Sequence, residues 1–86
     1  MRFHLEMTRE FEKNYNKKSK KNPEIRKAGE KKLKQILDNP YKFKPLHKPL
    51  QNFKRVHILK CFVLIYVIKE QTVILTKFDH HDKAYK

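Results

Sequence analysis

The chain has 86 residues, with 22 Lys plus Arg against 9 Asp plus Glu, for a net charge of +13. That length makes one domain, residues 1–86, with a small core. The single cysteine, Cys61, excludes an internal disulfide and a cysteine-based zinc site.

The positive excess is not one detachable tail. Residues 1–38 carry 12 basic and 6 acidic groups, and residues 39–86 carry 10 and 3. Such a surface attracts polyanions: nucleic acid, the ribosome, an anionic membrane or an acidic protein. Nucleic acid ranks first, because no helical stretch has the bulky apolar face that a membrane surface requires. The longest uncharged apolar run, Phe62 to Ile68, is seven residues, whereas a bilayer span needs roughly 20. With no signal peptide in view, a cytoplasmic location is expected.

In chain order, Arg2 to Glu6 alternates. Phe3 and Leu5 share one face and Arg2, His4 and Glu6 the other, as in a strand. Thr8 is placed to cap a helix, with Glu10 and Glu12 in the early turns where the helix dipole favours acids. Phe11 and Tyr15, four apart, make a narrow apolar stripe before the Lys17–Lys21 run. Asn22 followed by Pro23 and Glu24 is a second helix start. Ile25, Ala28, Gly29, Leu33, Ile36 and Leu37 then recur at helical spacing up to Asp38-Asn39-Pro40. The segment 39–52 holds three prolines and reads as a loop.

The stretch from Phe53 onward organises the rest. Val56 and Ile58 alternate with Arg55 and His57. The run Phe62–Ile68 fits a strand buried on both faces. A break at Lys69-Glu70-Gln71 separates it from Thr72–Phe78, and two such runs joined by about three residues read as a hairpin. Strict alternation places Lys77 on the face of Val73 and Leu75, and ends the last strand before Asp79. The pattern is β-α-α-β-β-β: an α+β domain with two N-terminal helices packed on an antiparallel sheet.

Chemistry-bearing residues are few. There is no Gly-rich phosphate loop, no nucleophile elbow and no pair of carboxylates at a catalytic spacing. His80-His81-Asp82 has no third ligand at a metal-binding spacing. It reads as a solvated tail or as groups for acid–base work or phosphate contact, since imidazole titrates near neutrality. Arg55, His57 and Lys77 are polar residues on apolar strands. They are either an exposed sheet face or the cations of a groove in which that face meets a polyanion. Lys48, Lys54, Lys60 and His47 add positive or imidazole groups around it, and Tyr85 is an aromatic that could stack on a base.

These residues resemble the RelE-type toxins of the RelE/ParE superfamily, near the YafQ branch and the archaeal RelE proteins. The matching motifs are Lys48-Pro49-Leu50, Lys54-Arg55-Val56-His57, Phe62-Val63-Leu64-Ile65-Tyr66 and Lys77-Phe78-Asp79-His80-His81-Asp82 with Tyr85. The resemblance covers essentially the whole chain. It implies the toxin of a type II toxin–antitoxin system, an mRNA interferase that cuts mRNA in the ribosomal A site with no metal or other cofactor. It further implies an acidic RelB-type antitoxin that wraps the toxin, contact with a 70S-type ribosome, and operator DNA reached only through the antitoxin complex.

In that family the ribose 2′-hydroxyl attacks, a base removes its proton, cations stabilise the phosphorane and an acid protonates the leaving oxygen. Carried over by motif, His81 matches the C-terminal imidazole and Tyr85 the aromatic beside the target base. Lys77 stands where arginine is common, which removes the two-pronged guanidinium fork. Arg55 and His57 fall on the strand of phosphate-binding and general-base groups, and His47 or Lys48 lies near a further imidazole of the YafQ branch. His80 is an extra imidazole. Two other readings are a ParE-like gyrase inhibitor without nuclease activity, against which His57 and His81 speak, and a plain nucleic-acid-binding module.

Overall fold

The computed structural model describes residues 3–45 and 53–81. Six elements follow in order: β1 (His4–Met7), α1 (Arg9–Lys21), α2 (Pro23–Asp38), β2 (Phe53–Ile58), β3 (Phe62–Lys69) and β4 (Thr72–His80). The helix ends lie where the capping residues predict them. The Phe11 N–H donates to Thr8 Oγ1 at 3.1 Å, and the Glu24 N–H donates to Asn22 Oδ1 at 3.1 Å. Asn22 also closes α1 through its own N–H to the Lys18 carbonyl, so one residue ends the first helix and starts the second.

The strands form one sheet in the order β1-β4-β3-β2. The antiparallel expectation holds for β2–β3 and β3–β4, whereas β1 pairs with β4 in parallel and makes the sheet mixed. Two hairpins make β4 run in the direction of β2, and β1 joins that same sense at the opposite edge. The helical hairpin spans the face between the two edges. Strand adjacency of this kind is decided by long-range packing, which the local pattern of β1 does not encode.

Both helices cover one face. Phe11, Tyr15, Ile25 and Ile36 meet Val56, Ile58, Leu64, Tyr66, Val73, Leu75 and Phe78 there in a single buried cluster. The Phe78 ring takes the edges of Phe11 and Tyr15, with centroids 6.1 and 5.2 Å away, and stacks on Phe62 at 5.5 Å. The Tyr66 hydroxyl donates to the Pro40 carbonyl at 2.6 Å and anchors the exit of α2. Its burial pushes the phenol well above its ordinary pKa. At Gly29 a Cβ would run into Tyr15 Oη and lie 3.0 Å from the ring, so only glycine lets α2 pass this close to α1.

Two features of β4 differ from the sequence reading. β4 continues through Asp79 and His80, because Phe62 still pairs with His80. The face assigned to Lys77 is also corrected. Ile65 pairs with Lys77 but Tyr66 pairs with Leu75, so Thr76 is an extra residue, a β-bulge. The bulge reverses the alternation and turns Lys77 to the face away from the helices. Phe78 explains why: without the bulge this wholly buried ring would lie on the other face and the Lys77 ammonium would enter the core. Burying a Phe side chain contributes about 1.5–3 kcal/mol, and an unpaired buried ammonium opposes folding by several more.

Candidate functional site

The face away from the helices is built from cross-strand rows. Arg55, Ile65 and Lys77 form one row across β2, β3 and β4, and His57, Val63 and Asp79 form the next. Residues paired in this way share a face. With neighbouring strands about 4.8 Å apart, the Arg55 and Lys77 backbones are roughly 10 Å from each other. Val63 and Ile65 are buried between the polar flanks, with Phe53 packed beside them. This small apolar floor holds the long polar side chains apart.

His81 follows directly on β4. Its N–H donates to the Cys61 carbonyl in the β2–β3 turn at 2.7 Å, which ties the end of β4 to that turn. The result is a stacked pair of imidazoles: the rings of His57 and His81 lie 5.6 Å apart at 25°. His57 is exposed at the end of β2. Its pKa is lowered, first by partial burial and then by the positive charges of His81, Arg55 and Lys32. His57 is therefore held toward the neutral imidazole, the form that accepts a proton. Arg55 is half-buried, and its backbone N–H donates to the Lys44 carbonyl at 3.1 Å.

The structure thus brings together Arg55, His57, Lys77 and His81. Others of the expected set are placed apart. His80 alternates to the helix side, where its ring tilts against Phe62 at 4.7 Å. Lys54 pairs with Tyr66 on the helix side of β2. Lys60 is exposed in the turn whose Cys61 carbonyl holds His81. His47, Lys48 and Tyr85 lie outside the described residues.

Sequence reasoning overlooked three participants. Lys32 on α2 acts on His57 through its charge, but one lysine among so many carries no distinguishing signal. The Cys61 carbonyl acts through the main chain, which no side-chain pattern announces. Asp79 pairs with Lys18 at 3.7 Å and accepts the His80 N–H at 2.7 Å. Its place on β4 rather than in a tail was the missing cue. Among the described residues, no three His, Cys, Asp or Glu side chains gather to hold a metal ion. No helix among them is long and apolar enough to cross a membrane.

No protein-family model matches the chain. A curated relative from Methanocaldococcus jannaschii, named "Putative toxin RelE4", is 43% identical over 86 residues, spanning 98% of this chain and 92% of the relative. Among solved structures, YafQ from E. coli aligns with a TM-score of 0.77 at 16% identity, over 98% of this chain and 99% of that one. A chain of the E. coli DinJ–YafQ toxin–antitoxin complex aligns with a TM-score of 0.79 at 15% identity, over the full length of both. At such identities these two likenesses speak for the fold: two helices on a four-stranded mixed sheet. The relative from M. jannaschii is close enough and long enough to settle kinship, and the chain belongs to the RelE family of toxins.

Proposed function

We propose that this toxin is an endoribonuclease that cuts mRNA on the ribosome. The observation that carries the reading is the stacked His57–His81 pair, 5.6 Å apart, beside Arg55 and Lys77 on one sheet face. RNA cleavage by an internal nucleophile needs a proton acceptor, a proton donor and stabilisation of a dianionic phosphorane. His57, held neutral, takes the proton from the ribose 2′-hydroxyl. The 2′-oxygen then attacks the adjacent phosphorus, and Arg55 and Lys77 stabilise the charge on the non-bridging oxygens. His81 gives a proton to the departing 5′-oxygen as the P–O5′ bond breaks. The products are a 2′,3′-cyclic phosphate and a 5′-hydroxyl, so atoms and protons balance without a metal or other cofactor. Tyr85 is assigned to the target base by family resemblance, and His47, Lys48 and Lys60 are assigned to the approach of the RNA, whereas Lys54 and His80, on the helix side, take no part in it.

The net charge of +13 supports binding to ribosomal RNA, with an affinity that falls steeply as salt is raised. It also supports an acidic antitoxin as partner, in line with the toxin–antitoxin complex of the structural neighbour. The proposed setting is the cytoplasm, with operator DNA reached only through that antitoxin. Primer extension on a translated mRNA tests the reading. Cuts that depend on ribosomes and vanish with His57→Ala or His81→Ala support it. Intact mRNA together with inhibited gyrase would replace it with the ParE-like activity. Binding of RNA without any cut would leave a nucleic-acid-binding module.

A further inference from the structure

Three hydrogen bonds converge on the bulge in β4. The Thr8 N–H donates to the Leu75 carbonyl at 3.0 Å, the Thr8 hydroxyl donates to the Thr76 carbonyl at 3.0 Å, and the Thr76 hydroxyl donates to the Ile65 carbonyl at 3.0 Å. The first two latch β4 to the start of α1. The third ties the bulge back to β3 at the residue that pairs with Lys77. Ile65 is also the residue between Arg55 and Lys77 in their row. The extra residue is thus fastened on both sides, at the point where the strand must bend and re-aim the next side chain. Packing of Phe78 fixes which face Lys77 takes, as argued above. It leaves open where on that face the ammonium points, and an exposed bulge without side-chain ties can twist.

We propose that Thr76 is a positioning residue, which sets the direction of Lys77 toward the phosphate through the bulge that its hydroxyl and Thr8 hold. This inference rests on the ribonuclease reading for the role of Lys77, but not for its placement. An interaction that acts only through Lys77 has a recognisable signature. Its loss must matter when Lys77 is present and be silent when Lys77 is gone.

The experiment uses Thr76→Val, which keeps the branched shape and removes the hydroxyl, and Thr76→Ser, which restores it. Single-turnover cleavage of ribosome-bound mRNA should fall about tenfold in Thr76→Val and recover in Thr76→Ser, against a loss of about 10²-fold in Lys77→Ala. Adding Thr76→Val to Lys77→Ala should cost nothing further, whereas an equal loss in both backgrounds would reduce Thr76 to a structural residue and overturn the proposal. A second readout is independent of cleavage. Nuclear Overhauser contacts from the Lys77 side chain to the Ile65 methyls should weaken in Thr76→Val and return in Thr76→Ser. If the wild-type chain cuts no RNA, the ribonuclease reading fails, and these contacts alone decide the positioning role. Contacts unchanged by Thr76→Val would overturn it.

Discussion

The two faces of the sheet differ in what their side chains do. On the helix side, a continuous apolar cluster from three strands and both helices excludes water. On the other side, the buried part shrinks to Val63 and Ile65 with Phe53 beside them, and Arg55, His57, Lys77 and Asp79 flank it. Because strand residues alternate, one stretch of chain supplies both: Val56 and Ile58 go to the core while Arg55 and His57 go to the site. Stability and chemistry are therefore separable here by the parity of a residue's position, and the bulge at Thr76 is where that parity is reset.

The separation predicts effects of opposite kind. The largest is on activity. His81→Ala should reduce mRNA cleavage by about 10²–10⁴-fold while leaving the denaturation midpoint nearly unmoved, since His81 is exposed and held by its backbone. Parallel assays of cleavage and urea unfolding check it. A large fall in stability would mean that the two faces are not independent.

Next comes the core. Phe78→Ala should lower the unfolding free energy by about 3–5 kcal/mol, because the ring is fully buried among Phe11, Tyr15 and Phe62. Denaturant titration gives the value. The same variant should loosen the register that the bulge depends on, and with it the placement of Lys77.

A smaller loss is expected at the contact between the helices. In Gly29→Ala the added methyl meets Tyr15, which cannot swing aside between Phe11 and Phe78. The gain in helix propensity, near 1 kcal/mol, is outweighed by overpacking of about 1–3 kcal/mol. The net is a loss of about 1 kcal/mol by thermal or chemical melting, and a stabilised variant would mean that α2 can shift away from Tyr15.

The smallest effect is on pH dependence. The folded chain binds a proton at His57 less readily than the unfolded chain does. The stability linked to that imidazole is therefore fully present above its unfolded pKa, near 6.5, and is lost as pH falls through that value toward the lower folded one. Between pH 7 and 5, His57→Gln should lose less stability than the wild type. The acid limb of the cleavage profile should likewise lie below the ordinary histidine range, which a pH–rate series measures.

Much of this architecture is written locally. Thr8, Asn22 and Pro23 announce the helix ends by capping chemistry, and the alternation of residues 53–58 announces the two-faced strand. What is not local stays hidden. The parallel pairing of β1, the extra residue at 76 and the extension of β4 to His80 are decided by which side chains pack across the sheet, and no periodicity of one segment carries that. The site is legible in the same proportion. Residue type and family resemblance single out His57 and His81, but nothing in their spacing reveals that the rings meet. The separation of His80 from His81 follows from alternation only once both are known to be at a strand end.

The anchoring of His81 on a main-chain oxygen has a practical side. The thiol of Cys61 takes no part in that bond, it is exposed, and it is the one sulfhydryl in the chain. A maleimide dye or a nitroxide label attached there would report from the turn whose main chain holds His81. Fluorescence or spin-label mobility could then follow the docking of RNA, ribosome or antitoxin in real time, on a molecule that needs no engineering beforehand.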